Sequence, residues 1–201
     1  PGACVIASAS NNEGARSSQA DLAKLLGPLE VASKNKCRVF WGIVREENVN
    51  RTLVSEWRAL DAVRSIENGR FVSRPGVFAW DRIDVASALL AECLPDDLAG
   101  RAADLGAGFG YLAVELLTRC PNIGLLDLYE AEHRALDLAR TNLASFAERT
   151  KLGFHWHDVT TGLPSKYDVI VTNPPFHAQR GIDRPDIGRR FITVAAESLT
   201  P

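Results

Sequence analysis

The chain has 201 residues, 46% of them apolar and 24% charged, which suits one globular domain or one domain with part of another and excludes a disordered or collagen-like polypeptide. Its 23 lysines and arginines against 25 acids give a net charge of −2, so no global field draws nucleic acid and any RNA contact falls to local basic patches. Apolar runs such as Val169–Val171 and Ile123–Leu126 are far shorter than the roughly 20 residues that span a bilayer, so no membrane-crossing helix is expected.

In chain order, Cys4–Ala9 reads as a short buried strand, followed by a polar loop over Ser10–Ser18 that contains Gly14. Leu22, Leu25 and Leu26 have helical spacing within Gln19–Leu26, and Gly27-Pro28 stops that helix. Leu29–Ala32 and Cys37–Trp41 flank the polar Ser33–Lys36 as a hairpin. Arg45–Arg74 is polar and mixed, with one amphipathic stretch over Leu53–Ile66, and reads as an inter-domain segment ending at Pro75-Gly76. A helix follows over Ile83–Cys93, closed by Leu94-Pro95. The pattern then alternates: strand Ala102–Leu105, helix Tyr111–Thr118, strand Gly124–Tyr129, helix Arg134–Phe146, strand Leu152–Trp156, strand Asp168–Thr172 and helix Arg189–Leu199. Strands alternating with helices of this length predict βαβ units and a mostly parallel sheet, hence an α/β fold.

Cys4, Cys37, Cys93 and Cys120 are widely spaced, form no Cys-x-x-Cys pair and follow no secretory signal, which points to reduced thiols in a cytoplasm. The chain begins at Pro1 and contains no methionine, as expected of an excerpt from a longer protein.

Four stretches carry chemistry. Asp104-Leu105-Gly106-Ala107-Gly108-Phe109-Gly110 leaves an apolar strand and opens a helix. Its glycines admit a ligand close to the backbone, and the helix N-terminus offers N–H groups to a negative group, so a nucleotide-like ligand is expected there. Tyr111 stands where the dinucleotide fingerprint needs its last glycine, and no Gly-Lys-Ser/Thr follows, which disfavours NAD and excludes an ATPase phosphate loop. A merely structural turn is the alternative. Glu130, at the end of the next strand, is placed to take both hydroxyls of a ribose; Asp127 is its rival, and a helix-initiating acid is the other reading. Asp158, with Val159 beside it, follows the strand bearing Phe154 and Trp156 and is positioned to accept from an adenine amino group, or to form a turn.

The last stretch runs from Asp168 directly into Asn173-Pro174-Pro175-Phe176-His177. The prolines force extended backbone and lack N–H groups, so carbonyls face outward beside the Asn173 amide as an acceptor pair for a substrate NH₂, with Phe176 as a stacking face. His155 and His157 form an i, i+2 pair without a third ligand at zinc-like spacing, so no metal is expected. His177 borders the proposed site, and Arg180, Arg184, Arg189 and Arg190 suit a phosphate backbone or a solvated face.

Together the glycine-rich turn, Glu130 and the Asn-Pro-Pro-Phe loop resemble the class I S-adenosylmethionine-dependent methyltransferases that modify planar nitrogens. Within these, Arg74-Pro-Gly-Val-Phe-Ala-Trp-Asp-Arg-Ile-Asp84 resembles the signature ahead of the catalytic domain in ribosomal RNA guanine-N2 methyltransferases, from which it departs at Ala79-Trp80 and Arg82-Ile83. Upstream, Asn12–Ser17 and Ser33–Val39 resemble the end of that family's degenerate N-terminal methyltransferase-like domain. The resemblance implies a Rossmann-like, doubly wound sheet preceded by that degenerate domain. Its domains would be residues 1–44, an inter-domain segment over 45–74, and a catalytic domain over 75–201 truncated before its last three strands.

S-adenosyl-L-methionine would be held by Asp104, Gly106, Ala107, Gly108, Gly110, Glu130, Asp158, Val159 and Asn173. Asn173, Pro174, Pro175 and Phe176 would serve methyl transfer to guanine N2 without a metal or a covalent intermediate. The implied partner is ribosomal RNA or an assembling subunit, with small-subunit 16S rRNA preferred on the strength of Pro75-Gly76-Val77-Phe78. The implied protein is a cytoplasmic monomer. Large-subunit 23S rRNA and a protein glutamine N5 remain alternative acceptors, and a non-catalytic RNA-binding module is a third class.

Overall fold

The computed structural model describes residues 2–176 and 185–201, and the chain divides into two compact units, residues 1–62 and 63–201. The first unit holds β1 (Cys4–Ser10), α1 (Ala15–Leu26), β2 (Glu30–Lys34), β3 (Cys37–Ile43) and α2 (Arg51–Leu60). Its sheet has the order β1-β3-β2 and is antiparallel throughout. Asn35 and Lys36, at φ 53° and 59°, form the tight connection of the β2–β3 hairpin, whose left-handed residues match the twist of paired strands. α1 starts four residues before the expected Gln19, because Gly14 at φ 77° turns the chain and the exposed Arg16, Ser17 and Ser18 occupy its first turn. Only Ala15 is buried in that turn, so apolar spacing carries no trace of it.

Residues 45–74, expected as a polar connecting segment, are divided between the two units. α2 belongs to the first and is capped by Asn50, whose side chain accepts from the Leu53 N–H at 3.0 Å. The second unit opens with a short antiparallel hairpin of β4 (Arg64–Ile66) and β5 (Phe71–Ser73), in which Phe71 is buried.

The rest of the second unit comprises α3 (Val85–Cys93), β6 (Ala99–Leu105), α4 (Tyr111–Arg119), β7 (Asn122–Glu130), α5 (His133–Asn142), β8 (Lys151–Trp156), β9 (Val169–Thr172) and α6 (Pro185–Ser198). Its four strands are parallel in the order β8-β7-β6-β9. A parallel sheet must be covered on both faces. Ala102, Leu126, Leu128 and Val171 pack with α3, α4, α5 and Phe71, while Ala103, Leu105 and Tyr129 pack with Tyr167 and with Phe191 and Val194 of α6. α5 ends at Asn142, short of the expected Phe146, and a 3₁₀ turn takes over at Ala144–Phe146. There Asn142 bonds both backbone groups of Val72 and also donates to the Phe109 carbonyl at 2.8 Å, tying the hairpin to the glycine-rich turn.

Strand order reverses at β6: the chain adds β7 and β8 on one side and returns to place β9 on the other. Open α/β sheets bind ligands outside the strand C-termini at such a reversal. Here it brings the turn after β6 beside the loop after β9.

Candidate functional site

The glycine-rich turn is anchored from β7, since the Gly106 and Ala107 N–H groups both donate to the Tyr129 carbonyl, at 2.8 and 3.2 Å. Gly110, at φ 89°, begins α4 where a Cβ would overlap Leu143, so only glycine fits. A Cβ on Gly108, at φ 54°, would meet nothing within 4 Å, so the turn's outer surface is open to a ligand.

Glu130 ends β7 with both carboxylate oxygens oriented by backbone: Oε2 accepts from the Gly108 N–H at 2.8 Å and Oε1 from the Glu132 N–H at 2.8 Å. Each oxygen keeps a second lone pair for a hydroxyl. Asp104, at the end of β6 just before the turn, is fully buried, and among the described residues its carboxylate has at most the Ala113 backbone N–H near it and no charged partner. Burial, reinforced by the Glu130 charge, pushes its carboxyl up to about 7. Asp104, expected among the residues around a cofactor, is thus buried and is not among the residues that line the cleft beside the turn.

Asn173 is fixed from an element that sequence reading left out of the site. Its Nδ2 donates to Asp84 Oδ2 and to Ser87 Oγ, each at 2.9 Å, and Asp84 Oδ2 also accepts the Ser87 N–H at the start of α3. A carboxylate only accepts, so Nδ2 is held towards α3 and Oδ1 remains as the acceptor. Thr172 Oγ1 donates to the Leu105 carbonyl at 2.7 Å, locking the end of β9 to the end of β6. Phe78, Asp84, Gly106, Gly108 and Asn173 thereby line one cleft. In the sequence Asp84 stood only as the last residue of the Arg74–Asp84 signature and as an acid three residues before Ser87, the spacing of a helix cap, with no role in the site assigned to it.

Other expected residues are distributed around this cleft. Pro174 is half-buried and Pro175 exposed, and the Phe176 ring packs where a Cβ on Gly188 of α6 would stand. Asp158 follows β8 and caps a 3₁₀ turn, accepting from the Thr160 N–H and hydroxyl, which holds its carboxyl below the usual range. It shares the sheet's C-terminal end with Glu130 but does not line the cleft, and Val159 is buried beside it. His155 bonds Asp127 Oδ1 at 2.9 Å, whereas His157 bonds the Gly162 carbonyl at 2.7 Å, so the pair is divided between separate partners. Among the described residues no three metal-ligating side chains gather. His177, Arg180 and Arg184 lie outside the described residues; Arg189 is exposed, and Arg190 donates to the Thr160 carbonyl.

A family model described as the methyltransferase small domain matches residues 68–201. Ribosomal RNA small subunit methyltransferase C of Psychromonas ingrahamii is 28% identical over 91% of this chain and 52% of its own length. The protein of that name from Salmonella paratyphi B is 30% identical over 83% of this chain and 46% of its own. A T. thermophilus 16S rRNA N2 methyltransferase, solved with AdoMet and guanosine, has a TM-score of 0.73 at 26% identity and covers all 100% of this chain and 54% of that one. The chain thus spans about half the length of the curated relatives it matches.

Proposed function

Because the chain belongs to the methyltransferase small domain family and has a Rossmann-like methyltransferase fold, we propose that it transfers a methyl group from S-adenosylmethionine to the exocyclic N2 amino group of a guanine in small-subunit ribosomal RNA. The observation that carries this reading is the Asn173 amide, held by Asp84 and Ser87 in the same cleft as the glycine-rich turn. The T. thermophilus relative, solved with AdoMet and guanosine, supports the same pairing of cofactor and acceptor.

The residues present fit the cofactor. The turn at Gly108 offers backbone without a side chain, the Glu130 carboxylate is oriented for a ribose, and Asp158 stands at the sheet end where adenine would reach. When bound, S-adenosylmethionine supplies a methyl group made electrophilic by its sulfonium. An amino group conjugated with a purine ring is a weak nucleophile, so the chain must align the nitrogen and offset the positive charge that develops on it. Asn173 Oδ1 and the Pro174 carbonyl accept its two hydrogens and do both, Phe176 offers a face to the ring, and the surplus proton leaves to solvent. The acceptor base must leave any stack to reach them. A cytoplasmic location belongs to the same reading.

The test uses the full-length protein. Calorimetric titration is expected to show binding of S-adenosylhomocysteine over NAD, weakened by about 1–3 kcal/mol in Glu130→Ala. Labelled S-adenosylmethionine, offered with each ribosomal subunit, each naked rRNA and a release-factor protein, is expected to mark only small-subunit RNA. Label in large-subunit RNA overturns the choice of subunit, and label in protein alone moves the acceptor to a glutamine amide.

A further inference from the structure

Phe78 is an aromatic side chain that the fold holds out of its core. It is 62% exposed, whereas Val77 before it is 4% exposed, and Trp80 after it packs against the core with the Arg64 guanidinium 5.3 Å over its ring. Between the two anchors Ala79 adopts φ 49°, a left-handed conformation that costs a non-glycine residue energy. Extended backbone through 77–80 would put Val77 and Trp80 on opposite faces, so that only one of them could reach the core. The turn at Ala79 lets both anchors pack while Phe78 faces the cleft shared by Asp84, Gly106 and Asn173.

A strained residue beside an exposed ring is a poor arrangement for stability alone. It is a good one for presenting a flat apolar face to a flat ligand. The function proposed above supplies two flat groups that could meet such a face: the cofactor's own purine and the acceptor base. The purine end of the cofactor is assigned to Glu130 and Asp158, both absent from the cleft lining, whereas Asn173, which grips the acceptor nitrogen, lines it together with Phe78. Building on the function proposed above, we infer that Phe78 stacks on the acceptor base and sets the depth at which its amino group meets Asn173. Phe78 is thus a substrate-positioning aromatic contributed from ahead of α3, in addition to Phe176 after β9.

Three variants of the full-length protein test this: Phe78→Leu, which keeps apolar bulk without a ring, Phe78→Trp, which keeps a ring, and Phe78→Ala. Each is measured for S-adenosylhomocysteine affinity by calorimetry, for melting temperature, and for kcat and KM with small-subunit rRNA. Leu and Ala are expected to raise the KM for RNA roughly 5- to 150-fold, the range of one lost base stack, while Trp stays within about threefold of wild type and cofactor affinity within about twofold. Phe78→Leu with wild-type KM overturns the inference, because apolar packing then suffices. A parallel loss of S-adenosylhomocysteine affinity also overturns it, assigning Phe78 to the cofactor. Wild-type protein that binds S-adenosylhomocysteine yet methylates no RNA overturns the functional reading itself and this inference with it.

Discussion

Asp84 caps α3 and grips the Asn173 amide with the same oxygen, so replacing it is expected to act on stability and on turnover by separate routes. Asp84→Ala should cost about 1 kcal/mol as a lost cap, read from thermal melting. It should also lower kcat about 10- to 100-fold by freeing the amide to rotate, with S-adenosylhomocysteine affinity within about twofold of wild type. Asp84→Asn, which still caps and still accepts, should recover most of both. An equal fall in kcat for both variants would show that the charge, and not the aim of Asn173, is what matters. Asp104 offers a pH test. Its carboxyl is raised to about 7 in the fold against an ordinary carboxylate value when unfolded, so the native state holds the extra proton between the two values. Stability from this group is therefore highest at acid pH and falls as pH rises from about 4 through about 7, the reverse of a salt-bridged aspartate. Asp104→Asn is expected to melt higher than wild type at pH 8, by up to a few kcal/mol, with the difference closing near pH 4. A constant difference across that range would mean that burial does not penalise the charged form.

Elements of the second unit also contain positions where ordinary propensity misleads. Gly153, inside β8, looks like a weak spot in a strand, yet a Cβ there would overlap Asp127 Oδ1 and crowd His155 Nε2. Asp127 accepts from Tyr167, whose hydroxyl also meets that of Tyr129 at 2.5 Å, so one added methyl disturbs a four-member network. Gly153→Ala is expected to lose about 1–3 kcal/mol, measured as a lower urea midpoint at unchanged slope. The alternation of strands and helices after Arg101 was legible in the sequence because buried parallel strands appear as apolar runs between glycine-rich turns. The β4–β5 hairpin was not: two of the three residues in β4 are exposed and polar, so the strand shows no apolar run, although Asn68-Gly69, both at positive φ, marks its turn. In the site, the residues after the strand ends were readable because turn chemistry is local. The partnership of Asn173 with Asp84 and Ser87 spans 89 and 86 positions, and no local pattern encodes a hydrogen bond at that separation.

At the scale of the whole molecule, a net charge of −2 means that the RNA binding proposed above must fall to a few local cations. If Arg180, Arg184, Arg189 and Arg190 each neutralise one phosphate of a single strand, the logarithm of RNA affinity should fall against the logarithm of salt concentration with a slope of about −3. A filter-binding titration between low and physiological salt reads that slope directly, and a value beyond about −6 would reveal phosphate contacts elsewhere on the protein. The reversal of strand order at β6 has a longer reach. It puts Glu130 and Asp158, proposed for the cofactor, after the strands on one side and Asn173, proposed for the acceptor, after the strand on the other, with β6 and its glycine-rich turn between them. Inheritance can therefore edit one ledger of contacts without rewriting the other. If the chain acts as proposed, relatives built on this sheet can change acceptor while keeping the cofactor, and their sequences should diverge faster beyond β9 than around β7.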